Sequence, residues 1–137
     1  MSAGYAKPLP RITGENRPFW EAARRHELRL QRCGACGRFR YPPAPVCPQC
    51  LSEDAEWAPV SGRGKVSTFV VMHKVYFPSF AGDAPYNVVQ VELDEGPRLT
   101  ANLVGVPNAE IAVGMPVEVV FDDVTPDVTL PRFRRAG

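Results

Sequence analysis

Cys33-Gly34-Ala35-Cys36 and, after ten further residues, Cys47-Pro48-Gln49-Cys50 contain every cysteine of this 137-residue chain. Two Cys-x-x-Cys pairs bring four soft thiolates to one point, which suits a tetrahedral ion with Zn–S bonds of ~2.3 Å. The pattern reads as a zinc ribbon in which each pair is a tight knuckle. Gly34 and Gly37 allow the first to bend, and Pro48 presets one dihedral of the second. Four thiolates leave no open coordination position, so the metal at Cys33, Cys36, Cys47 and Cys50 is expected to hold structure and not to activate water. Iron in a rubredoxin-like site takes the same ligands; zinc is favoured, and the sequence leaves the choice open.

Disulfides would need an oxidising compartment. Met1 to Pro8 carries no apolar signal core, so a cytoplasmic, reduced protein is expected. A thioredoxin-like redox site needs one reactive pair at a helix start, whereas two symmetric pairs fill a coordination shell. No run of some eighteen apolar residues offers a membrane span.

Outward from the cysteines the chain divides in two. Residues 1–60 read as a helical arm plus the ribbon, and residues 61–137 as a β-barrel, with the joint near Ser61-Gly62-Arg63-Gly64. Asn16 and Pro18 mark a helix start, and Phe19, Ala23, His26 and Leu30 recur at helical spacing. Leu28 to Arg32 alternates as a strand entering the first knuckle and Arg38 to Tyr41 as the strand leaving it, and the segment Ser52 to Ala58 is acidic and ends at Trp57. Beyond the joint, strands are expected at Lys65–Lys74, Asn87–Leu93, Arg98–Val104, Val117–Phe121 and Val128–Arg134. Val89, Val91, Leu93, Leu99, Ala101, Leu103, Val117, Val119 and Phe121 should face inward. Turns at Asp94-Glu95-Gly96-Pro97 and Gly114-Met115-Pro116 join neighbouring strands. Five strands with no room for crossover helices imply an antiparallel sheet, and closure into a five-stranded OB-type barrel removes its edges. An immunoglobulin-like sandwich wants about seven strands and ranks second. Val106 to Gly114 could form the helix that plugs one end.

The net charge of +1 hides an asymmetry. Residues 1–63 hold ten Lys/Arg against six Asp/Glu, and residues 64–137 hold six against nine. Seven arginines between Arg17 and Arg40 form a basic patch that could meet phosphates or an acidic partner, or merely be a solvated face. Little could run a reaction. His26 and His73 have no carboxylate or nucleophile at a triad-like spacing, and the pairs Asp94 with Glu95 and Asp122 with Asp123 fall at hairpin ends, where carboxylates are usually solvated. Tyr76-Phe77-Pro78-Ser79-Phe80-Ala81-Gly82-Asp83-Ala84-Pro85-Tyr86 holds four aromatics broken by proline and glycine, so some of them should face outward as a binding surface.

The order of parts, with Arg17-Pro18-Phe19-Trp20, Trp57, Ser61-Gly62-Arg63-Gly64-Lys65-Val66, Pro85-Tyr86, Val91 to Arg98 and Gly114-Met115-Pro116-Val117, resembles the zinc-ribbon and OB-fold acyl-CoA-associated family, formerly domain of unknown function thirty-five. The likeness covers most of residues 17–121. It implies a non-catalytic accessory subunit that pairs with a thiolase-fold enzyme (a thiolase, acyltransferase or aldolase), or with an acyl-CoA hydratase, and helps bind or channel an acyl-CoA thioester. Arg24, Arg25 and Arg29 are candidates for phosphate or partner contact, and Phe77 and Phe80 for the partner or an acyl or pantetheine chain. The rival class is a single-stranded nucleic-acid binder, since ribbons and OB barrels both serve that role. It needs a basic groove on the barrel, and the barrel half is acidic.

Overall fold

A computed structural model describes residues 5–137. Helix α1 (Arg17–Arg24) buries Phe19, Ala22 and Ala23. It is shorter than the periodicity promised, because His26 turns left-handed at φ 60 and reverses the chain into strand β1 (Arg29–Cys33), which carries Leu30. Asn16 precedes the helix but does not cap it with its side chain. Its Oδ1 accepts from the Thr13 amide at 2.7 Å instead, and its Nδ2 donates to the Arg11 carbonyl at 3.0 Å.

β1 is the middle of a three-stranded sheet, between β2 (Phe39–Arg40) and β3 (Ala55–Pro59). β3 is not among the strands expected from the sequence. It pairs antiparallel with all of β1, from Arg29 opposite Pro59 to Cys33 opposite Ala55. Phe19, Leu28 and Leu30 join Val66, Val89, Val91, Leu93, Leu99, Leu103, Val117 and Phe133 in one apolar cluster, so helix, ribbon and barrel share a single core.

The barrel strands are β4 (Arg63–Met72), β5 (Tyr86–Leu93), β6 (Arg98–Ala101), β7 (Leu103–Val104), β8 (Pro116–Asp123) and β9 (Thr129–Arg135), in the order β6-β5-β4-β8-β9-β7. That is six strands where the sequence promised five. The expected strand Arg98–Val104 breaks at Asn102: its first part pairs with β5, and its second lies parallel to β9, Leu103 opposite Phe133. Two carboxamides make the break. Asn87 donates to the Leu103 carbonyl and accepts from the Leu103 amide at 2.8 and 2.7 Å, while Asn102 donates to the Asn87 carbonyl at 2.6 Å. The chain thus changes partner without losing alternation, and Leu99 and Leu103 both stay buried.

β5 alternates strictly, burying Asn87, Val89, Val91 and Leu93. On β8, Val117 is buried, but Val119 and Phe121 are only partly so. β4 pairs with β5 along its length, with a bulge between Val66 and Thr68. β8 accompanies β4 only over Arg63–Lys65, and one further exchange ties Val66 to Gly114 and Met115. Beyond that point the outer edge of β4 has no strand beside it among the described residues. Gly64 is required by close approach: a side chain there would run into the Glu92 carbonyl. The expected plug helix in 106–114 is only a 3₁₀ turn, Asn108–Glu110, and the apolar plug is Ile111 with Met115. Pro107 and Gly114 bracket too few residues for more than that.

Candidate metal centre and partner surface

Both knuckles are built alike. In the first, the Cys33 amide donates to the Arg38 carbonyl at 2.8 Å and the Gly37 amide returns to the Cys33 carbonyl at 3.0 Å. In the second, Cys47 donates to Ser52 and Leu51 returns to Cys47, both at 2.9 Å. The residue four past each leading cysteine must be left-handed, Gly37 at φ 78 and Leu51 at φ 64. The first follows the glycine rule and the second forces a leucine into that region. Each leading cysteine, Cys33 and Cys47, is buried (2% exposed), while Cys36 and Cys50 lie at the surface.

The four Sγ atoms lie within 4.8 Å of one another. Cys33 and Cys50 approach to 3.4 Å, and Cys36 and Cys47 to 3.7 Å. Sulfurs at ~2.3 Å from a tetrahedral zinc stand about 3.8 Å apart, so the cage fits that ion. Electrostatics agree. The Cys36 amide, then the Ala35 amide, hold the Cys33 thiol down to about 6, and the amides of Cys50 and Gln49 lower Cys47. Cys50 is pushed up to about 11: the Ser52 amide lowers it, but crowding by Cys33, burial and the other thiols outweigh that. Four thiols this close cannot all ionise without a cation among them. All four are free of disulfides. When bound, the metal supplies a crosslink between the two knuckles.

The basic patch is smaller than the sequence implied. Arg40 is buried (9% exposed), donating from Nε to Gln31 Oε1 and from Nη2 to the Ala44 carbonyl, each at 2.9 Å. Arg29 and Arg25 share Glu27, at 3.0 and 3.6 Å, and that ion pair lowers the Glu27 carboxyl. Arg24 is exposed at the helix end. The structure therefore places Arg24, Arg25 and Arg29 close along the chain but spends two of the three on a carboxylate.

The aromatic loop splits into two faces. Tyr76 and Phe77 are 62% and 53% exposed, beside exposed Val75. Phe80 turns inward and stacks on Tyr86, ring centroids 5.4 Å apart. Sequence spacing missed one constellation altogether: His26 Nε2 lies 2.9 Å from Asp123 Oδ1, across 97 residues, and the His26 ring stacks on Phe121. The hydroxyl of Thr129, then His26, lower the Asp123 carboxyl. Both residues are half exposed, and the pair clamps the helix end to β8. Two further acids of the paired carboxylates are engaged: Glu95 accepts from the Ser61 amide at 2.8 Å, and Asp122 pairs with Arg132 at 2.9 Å.

Comparison with known proteins agrees with this geometry. A family model described as the ChsH2 rubredoxin-like zinc ribbon domain matches residues 20–56, and one described as the ChsH2 C-terminal OB-fold domain matches residues 57–122. A DUF35 domain-containing scaffold protein of Methanothermobacter thermautotrophicus is 33% identical over 82% of this chain and 85% of its own length. The chain belongs to the ChsH2-type, or DUF35, zinc-ribbon and OB-fold family. Within that family, the probable enoyl-CoA hydratase alpha subunit of Thermomonospora curvata is 42% identical over 95% of this chain, which spans 40% of that subunit's length. Among solved structures, a chain of the Ltp2-ChsH2(DUF35) aldolase superposes with a TM-score of 0.85 at 42% identity, covering 94% of this chain and 100% of that one. Among the described residues no helix is long and apolar enough to cross a membrane.

Proposed function

We propose that this DUF35 protein is a cytoplasmic, zinc-stapled, non-catalytic subunit that docks on a thiolase-fold enzyme and helps it handle an acyl-CoA thioester. The observation that carries the reading is the match in shape and sequence, over 94% of this chain, to a chain of the Ltp2-ChsH2(DUF35) aldolase. Kinship with the benzoylsuccinyl-CoA thiolase subunit BbsA of Thauera aromatica, 34% identical over 60% of this chain, supports a thiolase-type companion. The hydratase alpha subunits among the relatives make an acyl-CoA hydratase a second companion. The metal ligands Cys33, Cys36, Cys47 and Cys50 hold the ribbon in shape, and the boundary near residue 60 separates ribbon from barrel.

The partner surface assigned here is the outward half of the aromatic loop, Val75, Tyr76 and Phe77, whose exposed apolar rings suit a protein interface. Arg24 can add a charged contact at the helix end. Against a nucleic-acid role, Arg98, Arg132 and Arg134 of the barrel are each paired with a carboxylate, Glu92, Asp122 and Glu118. The test is co-expression with a thiolase-fold companion and co-purification at stoichiometric ratio with zinc bound. A chain that elutes alone and metal-free, or that shifts single-stranded DNA in a salt-dependent way, overturns the reading.

A further inference from the structure

A hollow of about 560 Å³ lies where the ribbon meets the barrel, between β2 with its flanking Arg38 and Tyr41 and the turn Glu95-Gly96-Pro97. Its lining includes a charge that the fold buries without a counterion, Arg40, only 9% exposed. Nε and Nη2 of Arg40 reach the Gln31 side chain and the Ala44 carbonyl, both neutral acceptors, and the third nitrogen, Nη1, is buried with no acceptor at all. The Gln31 oxygen is already shared with the Ala44 amide, which donates to it at 2.8 Å. A guanidinium stays ionised, and withdrawing it from water with no opposite charge beside it is costly. An anion brought close offsets that cost.

The rest of the lining decides which anion. Arg38 stands exposed at the rim. No carboxylate among the described residues pairs with Arg38 or Arg40. The acid of the lining, Glu95, is turned to Ser61, whose amide and hydroxyl donate to it at 2.8 and 3.4 Å. Two cations against one carboxylate leave the hollow at +1. A single carboxylate balances that charge and matches the planar guanidinium fork. A phosphate monoester, at about −1.5 to −2, overshoots it and meets Glu95 as a like charge. β2 is also the outer strand of the ribbon sheet, in the order β2-β1-β3, so its far edge lies open beside the hollow to the main chain of an extended segment.

We propose that this hollow receives an acidic side chain, an aspartate or glutamate in an extended segment of the companion protein. Arg38 makes the direct ion pair, since Nη1 of Arg40 is sealed, and Arg40 sets the positive field behind it. The inference rests on the accessory role proposed above and adds which part of the ribbon engages the companion and by what chemistry.

The test uses the zinc-loaded full chain, isotope-labelled, titrated with the α-amide of N-acetylglutamate and in parallel with its glutamine counterpart and with inorganic phosphate. The glutamate probe should move the Nε–H signals of Arg38 and Arg40 and saturate with Kd on the order of 10 mM, weakening as salt rises. With the companion enzyme recovered by co-purification, Arg38→Gln should weaken capture about tenfold and Glu95→Gln should strengthen it about threefold, at unchanged zinc content. Opposite signs from the two neutralisations follow from charge, whereas a structural disturbance would weaken both. A glutamine probe that acts like the glutamate one overturns the proposal, and so does phosphate moving the same signals at lower concentration. Capture that ignores both substitutions refutes the hollow alone, and probe shifts with no companion captured refute the accessory role alone.

Discussion

Leu30→Ala measures whether ribbon and barrel are one cooperative body. Leu30 sits on β1, three residues before the first metal ligand, yet its side chain is fully buried (0% exposed) in the cluster that also holds Val91 and Phe133. The change removes three carbons, about 2.4 kcal/mol of transfer free energy at ~0.8 per carbon, and the cavity left behind raises the loss to about 3 kcal/mol. With an unfolding entropy of ~2.1 cal/mol/K per residue over 137 residues, this lowers Tm by about 10 °C. Two probes are followed in one melt: metal release, by a zinc-responsive dye, and barrel packing, by near-ultraviolet circular dichroism. Both transitions should move together. If metal release moves down while the barrel signal keeps its parental midpoint, the shared core is not cooperative and the reasoning fails.

Metal affinity should rise steeply with pH. Below the Cys33 value of about 6 both Cys33 and Cys50 must lose a proton to bind, while at pH 8 Cys33 is already ionised and Cys50, held near 11, still releases one. Competition with a chromophoric chelator between pH 5 and 8 reads this, and a flat profile would contradict a tetrathiolate site. Gly64→Val should cost more than about 3 kcal/mol, because the new side chain meets the Glu92 carbonyl in the β4–β5 ladder; soluble yield and melting show it. Tyr76→Ala combined with Phe77→Ala should weaken companion binding by about tenfold or more, with Tm and zinc content unchanged, as read by interferometry on the companion enzyme.

What could be read from sequence was local. The cysteine cage was legible because its ligands come in two short turns of fixed spacing, and β5 because Val89, Val91 and Leu93 alternate on one face. β3 was not, since Ala55-Glu56-Trp57-Ala58-Pro59 buries no residue fully and exists only because β1 lies beside it. Asn102 read as one more strand residue; its role in the break depends on Asn87, which no periodicity links to it. The same holds for His26 and Asp123, neighbours in space at a separation of 97 residues. The arginine patch was overcounted for a related reason: whether Arg40 faces solvent is settled by the Pro42–Val46 loop folding back over it, with Ala44 bonded to Gln31 at 2.8 Å.

The bare flank of β4 past Val66 has a cost for the chain when it stands alone. Val70 on this strand, and Tyr76 and Phe77 in the loop that follows it, are all more than half exposed. Such a margin invites intermolecular strand addition. Only the bulge between Val66 and Thr68 bends it away from flatness. Surplus copies made without a companion should therefore clump, and balanced synthesis of the two polypeptides becomes a condition for keeping this one in solution.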